Sequence, residues 1–370
     1  MSVNHKLAHL ALETICHDAE PIFGSKSTEG STEWSTWMAK YPDDTKLAHM
    51  NIPGAHDAAT WNYTTETQQS LAHVTSLAKQ QVPPPDWLRC QGQSISQMLN
   101  AGVRAFDLRY EQDATKQTLV FWHGPALLSQ TATVNDVMFG FYQWLSDHPS
   151  EVVFLSFQRE GSVDNAADVQ MHIYDMLTSP AAKEYILSTS DTLEILGQAR
   201  GKIVLLRRFD LDLLPPSYET NVPGLRFSPE DWTDNGASIT IAYNSEHDPG
   251  TGKGLAYIED YYGPETSPSS SLQENVEVNM KAVLSHLDKA ADGHLPDGLF
   301  WGFASGKNVR HDVAITPRLM ALGDGTVRGV NDRLMEYFKD KRGKRFGIVM
   351  FDFCEEPHEL IPTFLSLQAP

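Results

Sequence analysis

The sequence predicts an α/β protein built as a single closed barrel. Short apolar or β-branched runs alternate along the chain with stretches whose apolar residues fall on one helical face, as in proteins that wind strands and helices alternately. The number of such runs is about eight, and a chain of 370 residues is long enough for one large barrel. An open, doubly wound sheet has the same local pattern and is the alternative architecture.

The individual elements follow from the same patterns. Helical faces are predicted over residues 134–145, 169–177 and 276–287. A short helix over 94–100 ends at Ala101-Gly102, in the way that a glycine ends many helices. The predicted strands cover residues 47–52, 103–109, 118–123, 152–158, 203–208, 238–243, 299–304 and 347–353.

Two parts are predicted to make up the chain. Residues 1–40 form an extension with a short helix and a linker rich in Gly, Ser, Thr and Lys, and residues 41–370 form the barrel. Between residues 61 and 85 a polar insertion is long for a barrel loop, and we interpret it as a lid or flap. No apolar run has the length of a membrane span and no leader pattern is visible, so a cytoplasmic location is expected, with unconventional export left open.

Charge and cysteine content narrow the possible functions. Acidic residues outnumber basic ones by 48 to 29, which argues against a nucleic-acid partner because phosphate backbones are bound by an excess of lysine and arginine. Three scattered cysteines are too few for a disulfide framework or a zinc knuckle, and we expect reduced thiols. A monomer is expected.

Polar residues at the ends of apolar strands carry the chemistry. Period-two alternation places Asp107 and Arg109 on one face of their strand, pointing into the barrel, where a carboxylate and a guanidinium must be paired or functional. His123 follows an apolar strand directly, and a Pro-Gly turn is predicted to stop the first strand and present His56 and Asp57. Two histidines and an arginine at the carboxyl ends of barrel strands suit the cleavage of a phosphodiester.

At these positions the sequence resembles the X-type catalytic domain of phosphatidylinositol-specific phospholipases C, especially the bacterial and fungal metal-independent kind. The resemblance extends over about residues 45–355, and it implies a distorted TIM-type barrel. The segments that carry it are IPGAHD at 52–57, QMLNAGVRAFDLR at 97–109, HGP at 123–125, PSEVVFLSF at 149–157, GKIVLLRR at 201–208 and the closing strand through Asp352.

The resemblance implies a role for each catalytic residue. His56 would be the general base for the inositol 2-hydroxyl, oriented by Asp352, and His123 would be the general acid for the departing diacylglycerol, supported by Asp57. Arg109 would bind the non-bridging phosphate oxygens. The product would be inositol 1,2-cyclic phosphate, which water then opens slowly through the same histidines. The substrate would be phosphatidylinositol, or a glycosyl-phosphatidylinositol, met transiently at a membrane surface.

The same resemblance implies the residues that recognise the headgroup. Asp107 and Glu160 belong to this substrate-binding set, and Gln158 stands where bacterial relatives have a lysine, which leaves room for a different inositol lipid or a related phosphodiester. On the barrel rim, Trp87 is placed either to dip into the lipid interface or to pack on the next helix. The remaining headgroup residues would be Arg208, Asp260 and Tyr262.

Cofactor use can also be inferred from the resemblance. Calcium-dependent relatives lack the arginine equivalent to Arg109, so no metal and no cofactor are expected here. A glycerophosphodiester phosphodiesterase-like or sphingomyelinase-D-like barrel is the runner-up enzyme, and it needs a divalent metal. A lipid-binding pseudoenzyme is the alternative from another class. The dipeptide His247-Asp248 lies in a loop with no strand leading into it, and we interpret it as surface.

Overall fold

The computed structural model describes residues 3–25, 32–75, 81–161, 166–189, 191–310 and 313–368. A curled sheet with helices packed outside it forms the body of the protein. Its order is β7-β6-β5-β2-β1-β11-β10-β9-β8, and every neighbouring pair is parallel except β8 with β9. Within the described residues no pairing joins the edges β7 and β8, so this α/β barrel is distorted and not closed. The strands are β1 (Ile52–Ala55), β2 (Ala105–Gln112), β3 (Leu119–His123), β4 (Ala126–Leu127), β5 (Val152–Arg159), β6 (Lys202–Arg208), β7 (Leu225–Arg226), β8 (Ile239–Ala242), β9 (Leu255–Glu259), β10 (Leu299–Ala304) and β11 (Ile348–Phe351).

The helices cover the outside of this sheet, as the helical faces predicted. In α4 and α9 the predicted apolar residues are buried, and Ser94 caps α3 through a reciprocal pair of hydrogen bonds with Gln97. The helices are α1 (Val3–Phe23), α2 (Thr65–Thr75), α3 (Ile95–Asn100), α4 (Val134–Asp147), α5 (Ala167–Leu177), α6 (Pro180–Tyr185), α7 (Leu196–Ala199), α8 (Pro216–Asn221), α9 (Leu272–Ala291), α10 (Pro317–Leu322), α11 (Val330–Phe338) and α12 (Leu360–Leu365).

The first predicted strand is wrong in position. A 3-10 helix covers Leu47–His49, and the strand begins at Ile52 and continues through Pro53 and Gly54. The Pro-Gly pair therefore lies inside the strand and does not stop it. Proline is tolerated because Ile52 and His56 donate their N–H groups to β11, while Pro53 contributes its carbonyl to Arg104 on the other side. Gly54 allows close packing here, because an added Cβ would lie 2.3 Å from the sulfur of Met350 and 3.1 Å from Ala105 Cβ.

Two other predicted strands are not parallel members of the barrel wall. The segment 118–123 returns antiparallel to β2 as β3, because only a few residues separate the two and a parallel crossover needs about a dozen. The segment 238–243 forms β8, the antiparallel edge. The strands that pair in parallel in the barrel wall instead include β7 and β9, which the sequence patterns do not predict. β7 is too short to show a pattern, and β9 directly follows a glycine-rich loop.

The N-terminal helix packs on the barrel. Ala19 and Ile22 of α1 are buried, and the ring of Phe23 meets the ring of Phe141 on α4 edge-on at 5.2 Å between centroids. Residues 26–31 of the predicted linker and 76–80 of the predicted lid lie outside the described residues. The domain boundary at residue 41 stays a prediction. Among the described residues no helix combines the length and apolar character that crossing a membrane requires.

Candidate active site

A cleft of about 630 Å³ opens at the carboxyl ends of the parallel strands. This is the end of a barrel at which catalytic residues collect. Asp57 and Asp107 are buried behind its wall, and Trp87 lies outside it. The predicted site residues that line the cleft are His56, Arg109, His123, Gln158, Glu160, Arg208, Asp260, Tyr262 and Asp352.

Arg109 lies at the centre of the site. It projects from β2 and bonds three carboxylates: its Nε lies 3.1 Å from Asp57 Oδ1, its Nη2 3.1 Å from Asp107 Oδ2 and its Nη1 2.9 Å from Glu160 Oε2. The guanidinium fork makes this geometry possible, since its five donors point in fixed directions. Arg109 thus supplies a positioned cation between the two histidines.

His56 is held by a carboxylate on one side and by Arg109 on the other. Its Nδ1 lies 2.7 Å from Asp352 Oδ1, and Arg109 Nη2 lies 2.9 Å from its Nε2. A guanidinium can only donate, so Nε2 is the acceptor and the Nδ1 proton points at Asp352. Burial lowers the pKa of His56, but the charge and hydrogen bond of Asp352 and the charge of Asp57 more than offset it, and the pKa is raised above its ordinary value. The Nε2 lone pair therefore points at the Arg109 guanidinium, which lines the cleft.

His123 belongs to the hairpin strand β3 and is almost fully buried. Its Nδ1 lies 2.8 Å from the Leu88 carbonyl, which can only accept, so that nitrogen carries a proton. The same nitrogen is 3.1 Å from Asp57 Oδ2. Burial, reinforced by the charges of Lys307, Arg109 and His56, holds the pKa of His123 well below its ordinary value. The two rings therefore have pKa shifts of opposite sign.

Asp57 and Asp107 share Arg109 but differ in their environment. Burial raises the pKa of Asp57 above its ordinary value, against the opposing charges of Arg109 and His56. For Asp107 the charges of Arg109 and Arg208 outweigh burial and lower its pKa. Asp57 adopts a left-handed backbone conformation with φ of 44°, which costs free energy for a residue other than glycine and is often found at functional sites.

The opposite wall of the cleft offers unsatisfied polar atoms. Gln158 Oε1 and Arg208 Nη1 are buried without a hydrogen-bond partner among the described residues. The other Arg208 nitrogen, Nη2, is 3.5 Å from Asp260 Oδ2, and the Tyr262 hydroxyl donates to Asp234 at 2.8 Å. Gln158 and Arg208 both line the cleft, and a small change of side-chain conformation would let their unsatisfied atoms bond a polyhydroxylated ligand.

Residues 65–209 match the family model described as "Phosphatidylinositol-specific phospholipase C, X domain". This chain is a relative of the X-domain phospholipases C. The matched segment contains Arg109, His123 and Arg208 but begins after His56.

The proteins similar to this chain include bacterial enzymes. The chain is 28% identical over 190 residues to the 1-phosphatidylinositol phosphodiesterase of Listeria monocytogenes, a match that covers 49% of the chain and 51% of that protein, or about half its length. The Staphylococcus aureus protein of the same name is 23% identical over 265 residues, 67% of the chain and 75% of that protein. A solved variant of the Staphylococcus aureus phosphatidylinositol-specific phospholipase C superposes with a TM-score of 0.66 at 18% identity, over 92% of this chain and 98% of that one. That likeness confirms the predicted TIM-type barrel.

Several residues that line the cleft are not predicted from the sequence. Lys307, from the loop after β10, lines the cleft, and its Nζ is 3.2 Å from the Trp87 carbonyl; among the described residues no carboxylate lies within 4.0 Å of it. Trp232 stacks on the Arg208 guanidinium at 3.7 Å and donates to Asp260 at 2.8 Å. Both come from loops, where no apolar periodicity marks them. His247, by contrast, is exposed as predicted.

Among the residues that the structure describes, three clusters of side chains have the spacing of metal ligands. In each, one ligand atom per residue lies within 4.8 Å of the others: His56 with Cys90 and Asp352, Asp57 with Cys90 and His123, and His56 with Asp57 and Asp107. The last is already bonded throughout to the Arg109 guanidinium, whose charge would repel a cation.

Proposed function

We propose that this chain cleaves phosphatidylinositol, or a glycosyl-phosphatidylinositol, into diacylglycerol and inositol 1,2-cyclic phosphate without a metal ion. One observation carries the proposal: two histidines with carboxylates at Nδ1 flank a single arginine at the mouth of a cleft with unsatisfied polar atoms. One base, one acid and one fixed cation are what phosphodiester transfer requires.

The attacking half of the reaction centres on His56. Substrate phosphate draws Arg109 Nη2 away from His56, since a charge-assisted bond to an anion is stronger than one to a neutral ring. The freed Nε2 then takes the proton of the inositol 2-hydroxyl, whose oxygen bonds to phosphorus. Asp352, at 2.7 Å from Nδ1, stabilises the imidazolium that forms.

The departing half centres on His123. As the bond from phosphorus to the diacylglycerol oxygen breaks, His123 Nε2–H donates its proton to that oxygen. Protonation at Nε2 must occur while Nδ1–H remains on the Leu88 carbonyl, and the nearby Asp57 carboxylate favours the resulting cation. An anionic phosphate beside the ring offsets the charges of Lys307 and Arg109 that lower the pKa of His123.

Lys307 and the opposite wall complete substrate binding in this proposal. With no carboxylate within 4.0 Å among the described residues, the Lys307 ammonium is available to a phosphate oxygen on the leaving-group side. Gln158, Arg208, Asp260 and Tyr262 bind the inositol hydroxyls. Trp87, half-buried beside Lys307 on the rim, contacts the lipid surface during the visit.

One assay tests the function. The protein is incubated with labelled phosphatidylinositol vesicles in excess chelator, and products are followed by phosphorus NMR. The expected result is a cyclic inositol phosphate that appears before the acyclic one. Activity that is abolished by chelator and restored by a divalent ion would replace this proposal with the glycerophosphodiesterase-like alternative. Binding of the lipid without any turnover would replace it with the pseudoenzyme.

A further inference from the structure

A buried thiol lies against the acid half of the site and has no part in the proposed chemistry. Cys90 follows the rim segment that carries Leu88, and its side chain is 1% exposed yet lines the cleft. Its Sγ lies 3.4 Å from the Leu88 carbonyl, the same oxygen that His123 Nδ1 approaches to 2.8 Å. A thiol and an imidazole thus point at one acceptor.

Asp57 completes this cluster with an unsatisfied atom. Its Oδ2 is buried and has no hydrogen-bond partner among the described residues, although it lies 3.1 Å from His123 Nδ1. Leaving a buried carboxylate oxygen without a hydrogen-bond partner costs free energy, so a cation is favoured at this position. In the cluster of His56, Cys90 and Asp352, both carboxylate oxygens of Asp352 already accept hydrogen bonds, one from His56 and one from the Gly306 N–H.

The spacing is close to that of a tetrahedral ion. The ligand atoms of Cys90, His123 and Asp57 all lie within 4.8 Å of one another. Zn²⁺ bonds of about 2.0–2.3 Å place ligand atoms roughly 3.3–3.8 Å apart. The 3.4 Å from Cys90 Sγ to the Leu88 carbonyl lies in this range, and the hydrogen-bond distances of 3.1 and 2.8 Å from His123 Nδ1 must lengthen by a few tenths of an ångström when the ion replaces the proton. Sulfur, nitrogen and oxygen are the donors that zinc takes in proteins. We propose that Cys90, His123 and Asp57, with the Leu88 carbonyl as fourth ligand, form an inhibitory site for a thiophilic divalent cation such as Zn²⁺.

Charge balance favours this site over an empty one. The ion displaces the Cys90 thiol proton, which leaves to solvent, and the one ring proton of neutral His123 moves from Nδ1 to Nε2. One thiolate and one carboxylate then neutralise Zn²⁺, so the occupied cluster carries no net charge. The Arg109 contact to the other Asp57 oxygen is retained.

Metal binding blocks the acid. With Nδ1 bonded to the ion, His123 cannot become the imidazolium that acts as the acid. Its Nε2 proton could leave only by forming an imidazolate, so the ring is a much weaker proton donor. The inhibitory effect rests on the proposed function, whereas occupancy of the site does not. Ca²⁺ and Mg²⁺, which prefer oxygen ligands, should neither bind there nor inhibit.

Spectroscopy on the whole chain tests occupancy without any substrate. In a Cys16→Ser background, Co²⁺ is added to chelator-treated protein and the thiolate-to-cobalt absorption in the near ultraviolet is recorded. We expect the band at one equivalent, its displacement by Zn²⁺, and its loss in Cys90→Ser. The matched control Cys354→Ser, also a buried thiol, should retain it. Absence of the band in the Cys16→Ser protein overturns the proposal even if the Cys90 variant does not fold.

Activity assays complete the test. Zn²⁺ should inhibit phosphatidylinositol cleavage and chelator should restore it. The inhibitory concentration should rise at least about tenfold in Cys90→Ser, measured against that variant's own zinc-free rate, because a lost ligand costs at least as much as a lost outer partner. Equal sensitivity of Cys90→Ser and Cys354→Ser would place the metal elsewhere and overturn the site. A cobalt band without phospholipase activity would refute the proposed function and leave the site standing.

Discussion

His56 is half-buried and His123 is buried, and the charge of Arg109 acts on both, yet their pKa values shift in opposite directions. The difference lies in their partners: Asp352 lies 2.7 Å from His56 and raises its pKa, whereas His123 lies near Lys307 and donates to a neutral carbonyl. In the free protein a single proton shared by the pair favours His56. In the proposed reaction, a bound phosphate would reverse that preference by offsetting the positive charges near His123.

The first prediction removes each histidine. His56→Ala and His123→Ala should each lower kcat by about 10²–10⁴-fold, since each loses one positioned proton acceptor or donor. The double variant should be little worse than either single one, because the two act as a unit. His247→Ala, at an exposed histidine, is the matched control. Either single variant with near-normal kcat would remove that histidine from the mechanism.

The second prediction concerns pH. The rate should follow a bell-shaped pH profile centred near neutrality. Because the pKa of His123 is lowered, the limb on the acid side should lie below the ordinary histidine range. Because the pKa of His56 is raised, the limb on the basic side should lie above that range. Lys307→Gln removes a charge that lowers the pKa of His123, so the acid limb should move to higher pH and KM should rise. Lys307→Arg should keep the wild-type limb. Profiles of kcat/KM that coincide for all three proteins would contradict this role.

At the scale of single elements, the strand patterns predicted most of the sheet but not its connections. The apolar runs at β2, β5, β6, β10 and β11 were placed within a few residues because buried parallel strands are nearly continuous in apolar residues. β3 has a similar apolar run but forms a hairpin with β2, because the direction of a strand depends on the length of the connection that precedes it. β9 was missed because its apolar residues begin immediately after Gly254.

The third prediction tests the close packing of β1. An added Cβ in Gly54→Ala would lie 2.3 Å from Met350 Sδ and 3.1 Å from Ala105 Cβ. Overpacking of this kind costs about 1–3 kcal/mol, and turnover should fall as well because His56 follows two residues later. Gly250→Ala, in an exposed loop, should change stability by less than about 0.5 kcal/mol. Denaturant unfolding and kcat/KM distinguish the two, and equal behaviour would show that β1 tolerates the methyl group.

At the scale of the whole molecule, a buried ion pair fastens the N-terminal segment to the end of the barrel opposite the cleft. Arg104, before β2, bonds Glu151 at 2.7 Å and donates to the carbonyls of Trp34 and Ser35 at 3.1 and 2.9 Å. Both charged side chains are fully buried. The residues before 41, predicted as an extension, thus satisfy donors inside the barrel.

The fourth prediction follows from this pair. Glu151→Gln should lower the free energy of unfolding by about 3–5 kcal/mol, since it leaves a buried guanidinium uncompensated. Asp43→Asn, which breaks the pair of Arg200 with an exposed carboxylate, should cost no more than about 1 kcal/mol. Urea denaturation measures both. A Glu151 variant as stable as the Asp43 variant would mean that Arg104 is satisfied by its carbonyl partners alone.

The site could be predicted further than the fold around it. Strand-end polar residues are visible in sequence because an apolar run stops at them, and His56, Arg109 and His123 do meet at one cleft. Arg208 and Asp352, which the family resemblance implied, line the same cleft. Lys307, Trp232 and Cys90 could not be found in this way. They come from loops, whose path depends on contacts distant in sequence, so only the folded chain shows that they reach the same place.

His123 lies on a hairpin, so it is attached to a different part of the fold from the other catalytic candidates. His56, Arg109 and Asp352 are anchored to neighbouring strands of the barrel wall, while His123 is tied through the Leu88 carbonyl to the rim segment that also carries Trp87. Contact of a bilayer with that rim would therefore shift His123, the proposed acid, and leave His56, the proposed base, in place. We expect interfacial activation to speed departure of the lipid while leaving attack by the inositol hydroxyl unchanged. A soluble substrate with a good leaving group should then show no interfacial activation.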